Sequence, residues 1–125
     1  YLKRIREICD KHGILLIFDE VITGFGRVGK AFAAQRFDVQ PDMITTAKAL
    51  GNGFPCAALL MTPRVTKAVR METLGTTFGG GPMACAAIEA VIEAIESEDL
   101  LANVRRVSQY SREPCRVGPV AGFQG

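Results

Sequence analysis

The chain has 125 residues, 48% of them hydrophobic and 22% charged, a composition typical of one modest globular domain. Its 15 basic and 13 acidic side chains leave a net charge of +2, which is too balanced to indicate nucleic acid or an anionic membrane as a partner. The single histidine, His12, and the lack of any C-x-x-C pair predict no metal site.

Three of the four cysteines lie in apolar surroundings, which predicts buried free thiols in a protein of a reducing compartment, the cytoplasm. The four are Cys9, Cys56, Cys85 and Cys115. The longest apolar runs, 14–18 and 56–61, are far shorter than the ~20 residues that span a bilayer, so no membrane segment is expected. Because the chain starts within a predicted helix and ends in a Gly/Pro-rich stretch, we expect both ends to be cuts within a longer protein.

The first predicted element is a helix over residues 1–12, followed by Gly13 where a left-handed C-cap would stand. Its apolar side chains recur on one helical face, at Leu2, Ile5, Ile8 and Cys9. The continuous apolar run Ile14–Phe18 then predicts a buried strand of a parallel sheet.

Two further strands are predicted, over residues 43–46 and 56–61. Thr62 and Pro63 start a short helix as its N-cap and first residue, and Pro82 opens a longer helix to about residue 96. The inward side chains of this longer helix are predicted to be Ala84, Ala87, Ile88, Val91, Ile92 and Ile95. A last helix is predicted from about residue 98 to 109. Helices that alternate with apolar strands predict an α/β fold.

Asp19 stands at the carboxyl end of the first predicted strand, where open α/β sheets bind their ligands. Lys48 lies at the end of the second, in a stretch of small residues without other charges. We expect Lys48 to be partly desolvated, which would make its neutral amine available as a nucleophile. Taken alone, each residue has a plain alternative: Asp19 as a turn or cap aspartate, and Lys48 as a lysine at the sheet edge.

The loop over residues 75–82 contains Gly, Thr and Pro and leads directly into a helix. Free N–H groups at a helix start attract anions, and glycines let a phosphate approach the backbone, so this loop predicts a phosphate site. A second glycine pattern, Gly24-Phe25-Gly26-Arg27-Val28-Gly29, fits G-x-G-x-x-G. It neither follows its strand directly nor opens a helix, so we interpret it as a loop and not as a dinucleotide site.

A nucleophilic lysine, a strand-end aspartate and a phosphate loop are together what pyridoxal phosphate needs. Three segments of the chain, in this order, resemble signatures of the class III aminotransferases, and the resemblance covers nearly the whole chain. They are Leu16–Gly29, Pro41–Pro55 and Thr76–Ala86.

The resemblance implies a role for four residues. Asp19 would pair with the pyridine nitrogen of the cofactor, and Val21 would pack against one face of its ring. Lys48 would form the Schiff base and then move the substrate proton as general acid and base. Thr77 would bind the cofactor phosphate, in this family across a subunit boundary, which implies a homodimer with shared active sites.

The resemblance also implies the fold: part of the large domain of a fold-type I pyridoxal-phosphate enzyme, a mostly parallel sheet with helices on both faces. Residues 1–97 would belong to this domain, and residues 98–125 would lead toward a C-terminal small domain. Parts of the site that the family needs would lie outside this chain. We therefore do not expect the chain to catalyse transamination without the rest of the protein.

The implied activity is transfer of an amino group from an amine or amino acid to a 2-oxo acid. Ile22 is similar to the ω-amino acid:pyruvate branch, whereas residues 47–55 and 82–86 lean toward acetylornithine-like and alanine–glyoxylate-like members, so the donor stays open. One alternative is an aminomutase, racemase or decarboxylase on the same scaffold. Another is a domain that keeps the fold without the activity. A nicotinamide dehydrogenase, based on the glycine pattern alone, is a distant third.

Overall fold

The structure, a computed structural model, describes residues 1–70, 74–75 and 80–112. Helix α1 spans Leu2–His12, and Gly13 ends it in the left-handed conformation with φ 67°. The Gly13 N–H donates to the Asp10 carbonyl, and the Ile14 N–H donates to the Cys9 carbonyl at 2.8 Å. These two bonds satisfy carbonyls that the helix would leave free, and glycine adopts this conformation without a Cβ clash. The predicted helix and its cap are confirmed.

Three strands form one sheet in the order β1-β2-β3. They are β1 (Ile17–Asp19), β2 (Met43–Thr46) and β3 (Ala58–Met61). β1 and β2 are parallel, with Asp19 opposite Thr45, whereas β2 and β3 are antiparallel, with Thr46 opposite Ala58. The parallel pair confirms the prediction from the apolar run. The direction of β3 was not predicted; the segment between β2 and β3 contains only a short 3-10 helix (Lys48–Leu50) and no α-helix of the kind that usually connects parallel strands.

The prediction that the first strand is buried is wrong for this chain. Ile14, Leu15 and Ile17 are 52%, 44% and 53% exposed, and the strand itself begins only at Ile17. β1 is an edge strand of the small sheet, so its apolar side chains have few covering neighbours. An apolar run therefore indicates which side chains favour burial, but it does not supply the elements that cover them.

Five helices complete the described fold, including the short α2 (Ala33–Phe37), which was not predicted. α3 (Pro63–Thr66) has Pro63 in its first turn, and α4 (Pro82–Ser97) begins at Pro82, both as predicted. α4 buries Ala84, but Ile92, predicted to face inward, is 42% exposed. α5 (Leu100–Arg112) lies against α4. No helix in the described part of the chain is both long and apolar enough to cross a membrane.

Candidate active site

The candidate site lies at the carboxyl ends of the two parallel strands. Asp19 is the last residue of β1 and pairs with Thr45 of β2, and Lys48 follows Thr45 by three residues. The Glu20 N–H continues the ladder by donating to the Thr45 carbonyl at 2.9 Å. The topology therefore brings the two residues singled out from the sequence to the same edge of the sheet, where open α/β sheets bind ligands.

Asp19 is held by the backbone that follows it. The Val21 N–H donates to Asp19 Oδ1 at 3.0 Å, and the Thr45 hydroxyl donates to the same oxygen at 3.4 Å. No hydrogen bond from the described residues reaches Oδ2, and the side chain is exposed. One carboxylate oxygen thus fixes the orientation while the other is free to accept a hydrogen bond from a ligand.

Lys48 is also exposed, so the expected partial desolvation is not found in this chain. The reason is the small sheet, which encloses too little space around its carboxyl edge to remove the amine from water. The backbone of Lys48 is unusual instead, with φ 45°, a left-handed conformation that L-residues with a side chain rarely adopt. No sequence pattern indicated this conformation, because it is imposed by the turn that follows.

The loop between β1 and α2 is organised by Glu20, a residue that sequence reasoning missed. Glu20 is only 1% exposed, and its carboxylate accepts hydrogen bonds from the backbone N–H groups of Ala33 and Ala34, the latter at 2.8 Å. The Thr23 hydroxyl donates to the same carboxylate at 3.0 Å. A buried carboxylate against the first amides of a helix satisfies groups that would otherwise be unpaired. Through these hydrogen bonds Glu20, the residue after Asp19, holds the start of α2 close to the candidate site.

The glycine pattern in this loop has packing roles. A Cβ on Gly24 would lie 2.8 Å from the Glu20 carbonyl oxygen, and one on Gly26 would lie 3.0 Å from the Leu101 side chain. The backbone contact leaves no room for a side chain at Gly24, whereas at Gly26 the Leu101 side chain would have to shift and the φ of 94° would strain any L-residue with a side chain. The interpretation of residues 24–29 as a loop is confirmed, because no helix begins at Gly29.

Of the other two predicted site residues, Val21 and Thr77, only Val21 belongs to the part of the chain that the structure describes. Val21 is half-buried and donates its N–H to Asp19, so it lies next to the candidate site. Thr77 lies outside the described residues, and its predicted contact with phosphate stays a prediction. Just beyond it, Gly81 and Pro82 form the N-cap and first turn of α4, as the sequence predicted for a helix start.

A second polar cluster stands at the opposite end of the sheet, around Asp42. The Asp42 carboxylate accepts a hydrogen bond from the Leu16 N–H at 2.8 Å and pairs with Arg6 at 2.8 Å and with Arg64 at 3.3 Å. The Leu16 hydrogen bond and, after it, the Arg6 guanidinium lower the pKa of Asp42 below its usual value. This cluster ties α1, β1, β2 and α3 together, so we assign it a structural role.

An α/β chain with a carboxylate and a lysine at the carboxyl ends of adjacent parallel strands has the arrangement of a ligand-binding enzyme domain. The protein-family model described as "Aminotransferase class-III" matches residues 1–114 of the chain. The chain therefore belongs to the class-III aminotransferase family, as its motifs indicated.

Curated relatives agree with this assignment. The chain is 44% identical over 113 residues to the acetylornithine aminotransferase of Vibrio vulnificus, an alignment that covers 90% of this chain and 28% of that protein. It is 47% identical over 106 residues to the acetylornithine/succinyldiaminopimelate aminotransferase of Photorhabdus laumondii, covering 85% of this chain and 26% of the relative. The chain thus spans little more than a quarter of the length of these proteins.

Solved structures confirm the α/β fold class. The taurine:2-oxoglutarate aminotransferase of Bifidobacterium kashiwanohense, solved with PLP and glutamate, matches with a TM-score of 0.84 and 38% identity over 89% of this chain and 26% of its own. The N-acetylornithine aminotransferase of Stenotrophomonas maltophilia matches with a TM-score of 0.77 and 43% identity over 90% of this chain and 28% of its own. The small sheet and its helices are therefore a portion of a larger aminotransferase fold.

Proposed function

We propose that this chain is part of a pyridoxal-phosphate-dependent aminotransferase that moves an amino group from an amine or amino acid to a 2-oxo acid. The observation that carries the proposal is the position of Asp19 and Lys48 at the carboxyl ends of adjacent parallel strands. Membership of the class-III aminotransferase family supports the reaction class. An aminomutase, a racemase and an inactive domain are less well supported, because the curated relatives are aminotransferases.

The residues at this edge fit the cofactor. Asp19 Oδ2 is free to accept a hydrogen bond from the pyridine nitrogen and to keep that nitrogen protonated, while Oδ1 is occupied by the Val21 N–H. Val21, adjacent to Asp19 and half-buried, would pack its branched side chain against one face of the ring. When bound, pyridoxal phosphate supplies an electron sink for the carbanion of the amino substrate.

Lys48 would act through its side-chain nitrogen Nζ. Its exposed amine is accessible for covalent attachment to the cofactor aldehyde. Once released from that bond, Nζ would take the proton from the amine-bearing carbon of the substrate as general base and deliver it to the C4′ carbon of the cofactor as general acid. This proton transfer requires the amine to stay close to that carbon, a position that the backbone of Lys48 would set.

Thr77 would donate its hydroxyl to the cofactor phosphate, and we propose that it does so across the interface of a homodimer. This assignment rests on the motif before Pro82 and on the start of helix α4, where the free N–H groups of the first turn suit an anion, although Pro82 itself has no N–H to donate. We also propose that the protein works in the cytoplasm, where the thiols of Cys9 and Cys56 would stay reduced; both are free in the structure.

The proposed amino donor is an N-acetylornithine-like amine, with an ω-amino acid as the second candidate. The names of the curated relatives favour the first, and Ile22, exposed beside Val21, favours the second. We further propose that residues 1–97 belong to the large domain and that residues 98–125 lead toward a small domain.

The test uses the full-length protein loaded with pyridoxal phosphate. Borohydride reduction followed by peptide mapping should label Lys48 and leave the exposed Lys67, on α3's C-terminal side, unlabelled. A Lys48→Ala variant should lose the label together with transamination activity, by at least about a thousandfold, because it removes both the covalent contact and the acid-base group. Label on several surface lysines with none on Lys48 would reject the proposed site.

A donor screen then separates the reaction classes. Transamination requires a 2-oxo acid acceptor and releases an oxo product from the donor. Turnover without any acceptor would instead indicate the aminomutase, racemase or decarboxylase alternative. A protein that is labelled at Lys48 but converts no donor would indicate an inactive member of the fold.

A further inference from the structure

A cavity rich in arginine lies between the loop that follows Gly26 and helix α5. Its volume is about 420 Å³, and three arginines line it, one from each surrounding element. Arg27 comes from the loop, Arg36 from α2 and Arg105 from α5, and Ser108 and Gln109 add neutral polar groups. None of the described residues that line the cavity is acidic. The reaction proposed above makes no use of this cavity.

Two of these arginines are held in place by the loop itself. Arg36 Nη1 donates to the Val28 carbonyl at 3.0 Å, and Arg105 Nη1 donates to the Gly29 carbonyl at 2.8 Å. Gly29 has φ 76°, and a Cβ there would lie 2.8 Å from Arg105 Cγ, so the loop and α5 are in close contact. Each guanidinium has five N–H donors, and these backbone bonds use only one. The remaining donors are oriented before any ligand arrives, which lowers the entropic cost of binding.

We propose that this three-arginine cavity binds a small anion of the carboxylate or phosphate class. Guanidinium groups are charged at all physiological pH values, and their planar forks match the geometry of carboxylate and phosphate oxygens. Three positive charges without an acidic neighbour in the lining repel one another, and an anion between them removes that repulsion. Ser108 and Gln109 can donate further hydrogen bonds to the same anion.

The dimensions favour a small anion over an acidic polypeptide segment. The residues of α5 that line the cavity run from Val104 to Gln109. This stretch corresponds to roughly 8 Å along a helix axis, which is about the size of one phosphate or dicarboxylate with its contacts. A polypeptide segment would need a longer groove to bury its backbone.

The test is isothermal titration of the full-length, cofactor-loaded protein with inorganic phosphate and, separately, with succinate, at constant ionic strength. Because the cofactor fills its own phosphate site, any phosphate bound has another location. Arg27→Gln should weaken binding about tenfold, because it removes a charge-assisted contact. Arg27→Lys keeps the positive charge but not the planar guanidinium, so it should weaken binding by less than Arg27→Gln does.

Arg106→Gln is the matched control, because Arg106 neighbours Arg105 on α5, is exposed and donates to Asn103 Oδ1 at 2.7 Å. It should bind either anion as the wild-type protein does. Stronger binding of phosphate than of succinate would assign the cavity to phosphate, and the reverse order would assign it to carboxylates. No binding of either anion, or binding that Arg27→Gln leaves unchanged, would overturn the proposal. Absence of binding would point instead to an acidic segment of the protein itself in the cavity.

Discussion

At the scale of single residues, the backbone of Lys48 combines strain with a proposed catalytic role. Its φ of 45° places it in the left-handed region, which costs an L-residue with a side chain about 1–2 kcal/mol. The turn after it maintains this conformation, since the Lys48 carbonyl accepts hydrogen bonds from Gly51 at 3.3 Å and Asn52 at 3.2 Å. Strained backbone of this kind is concentrated at functional sites, where neighbouring contacts offset its cost.

This strain predicts an order of stability among variants at Lys48. Lys48→Gly should be more stable than Lys48→Ala by about 1 kcal/mol, because glycine adopts positive φ without a Cβ clash. The measurement is urea unfolding of the full-length protein without cofactor. Lys67, with φ −61°, provides the control, and there the alanine variant should be the more stable. Equal stability of the two Lys48 variants would show that the position is unstrained.

At the scale of secondary-structure elements, Asp42 joins parts of the chain that are distant in sequence. The side chain of Arg6 on α1 is 16% exposed and that of Asp42 is 8% exposed, so their ion pair is largely removed from water. Buried pairs are costly to break, because the remaining partner keeps an uncompensated charge. The exposed pair between Lys3 and Asp38 connects α1 to the end of α2 but is well solvated and contributes little.

Asp42→Asn should therefore destabilise the protein at pH 7 by about 3 kcal/mol, and the loss should depend on pH. In the unfolded chain an aspartate has a pKa of about 3.9, whereas in the fold the Leu16 hydrogen bond and the Arg6 charge lower the pKa of Asp42. Its stabilising contribution is thus present above about pH 4 and is lost as the pH falls through the lower, folded pKa.

Unfolding curves of wild type and Asp42→Asn from pH 7 to pH 2 measure this effect, and the two stabilities should converge at the acidic end. Asp38→Asn is the matched control, because the Asp38 side chain is 91% exposed; it should change stability by less than about 1 kcal/mol at any pH. A difference between wild type and Asp42→Asn that stays constant down to pH 2 would contradict the assignment.

At the scale of the whole molecule, one face of the sheet carries apolar side chains that are open to solvent. The strand register puts Ile17 and Asp19 on the same face as Thr45 and Leu59. Ile17 is 53% exposed and Leu59 is 45% exposed, although both side chains favour burial. Since the chain spans 28% of the Vibrio vulnificus relative, we expect the rest of the full-length protein to cover this face.

The 125-residue chain should consequently bind the dye ANS, which becomes fluorescent on exposed apolar surface, while the full-length protein should not. Replacing Ile17 and Leu59 together by Thr should lower the fluorescence of the chain, because Thr keeps strand propensity but removes apolar area. The control is Tyr110→Thr, on α5 and outside the sheet. This variant should keep most of the ANS fluorescence. Strong fluorescence from the full-length protein would mean that this face stays open.

The features that the sequence predicted correctly depend on neighbouring residues. The apolar period of α1, its glycine cap at Gly13 and the proline at the start of α4 act over a few residues, so their structures could be derived without the fold. The shared position of Asp19 and Lys48 follows in the same way, because strands of a parallel pair end at the same edge of the sheet, whereas the roles of these two residues stay a prediction.

The features that escaped prediction depend on contacts between distant residues. The buried carboxylate of Glu20 binds amides of Ala33 and Ala34, and nothing near Glu20 in the sequence indicates that partner. The antiparallel direction of β3 and the exposure of Ile17 follow from which strands pair and which elements cover them. The sequence by itself thus determined the elements other than the short α2, the family and the choice of candidate residues, because local periodicity and motif spacing encode them. Only the tertiary structure decided strand direction, burial and the left-handed backbone of Lys48, because these depend on packing between segments far apart in the chain.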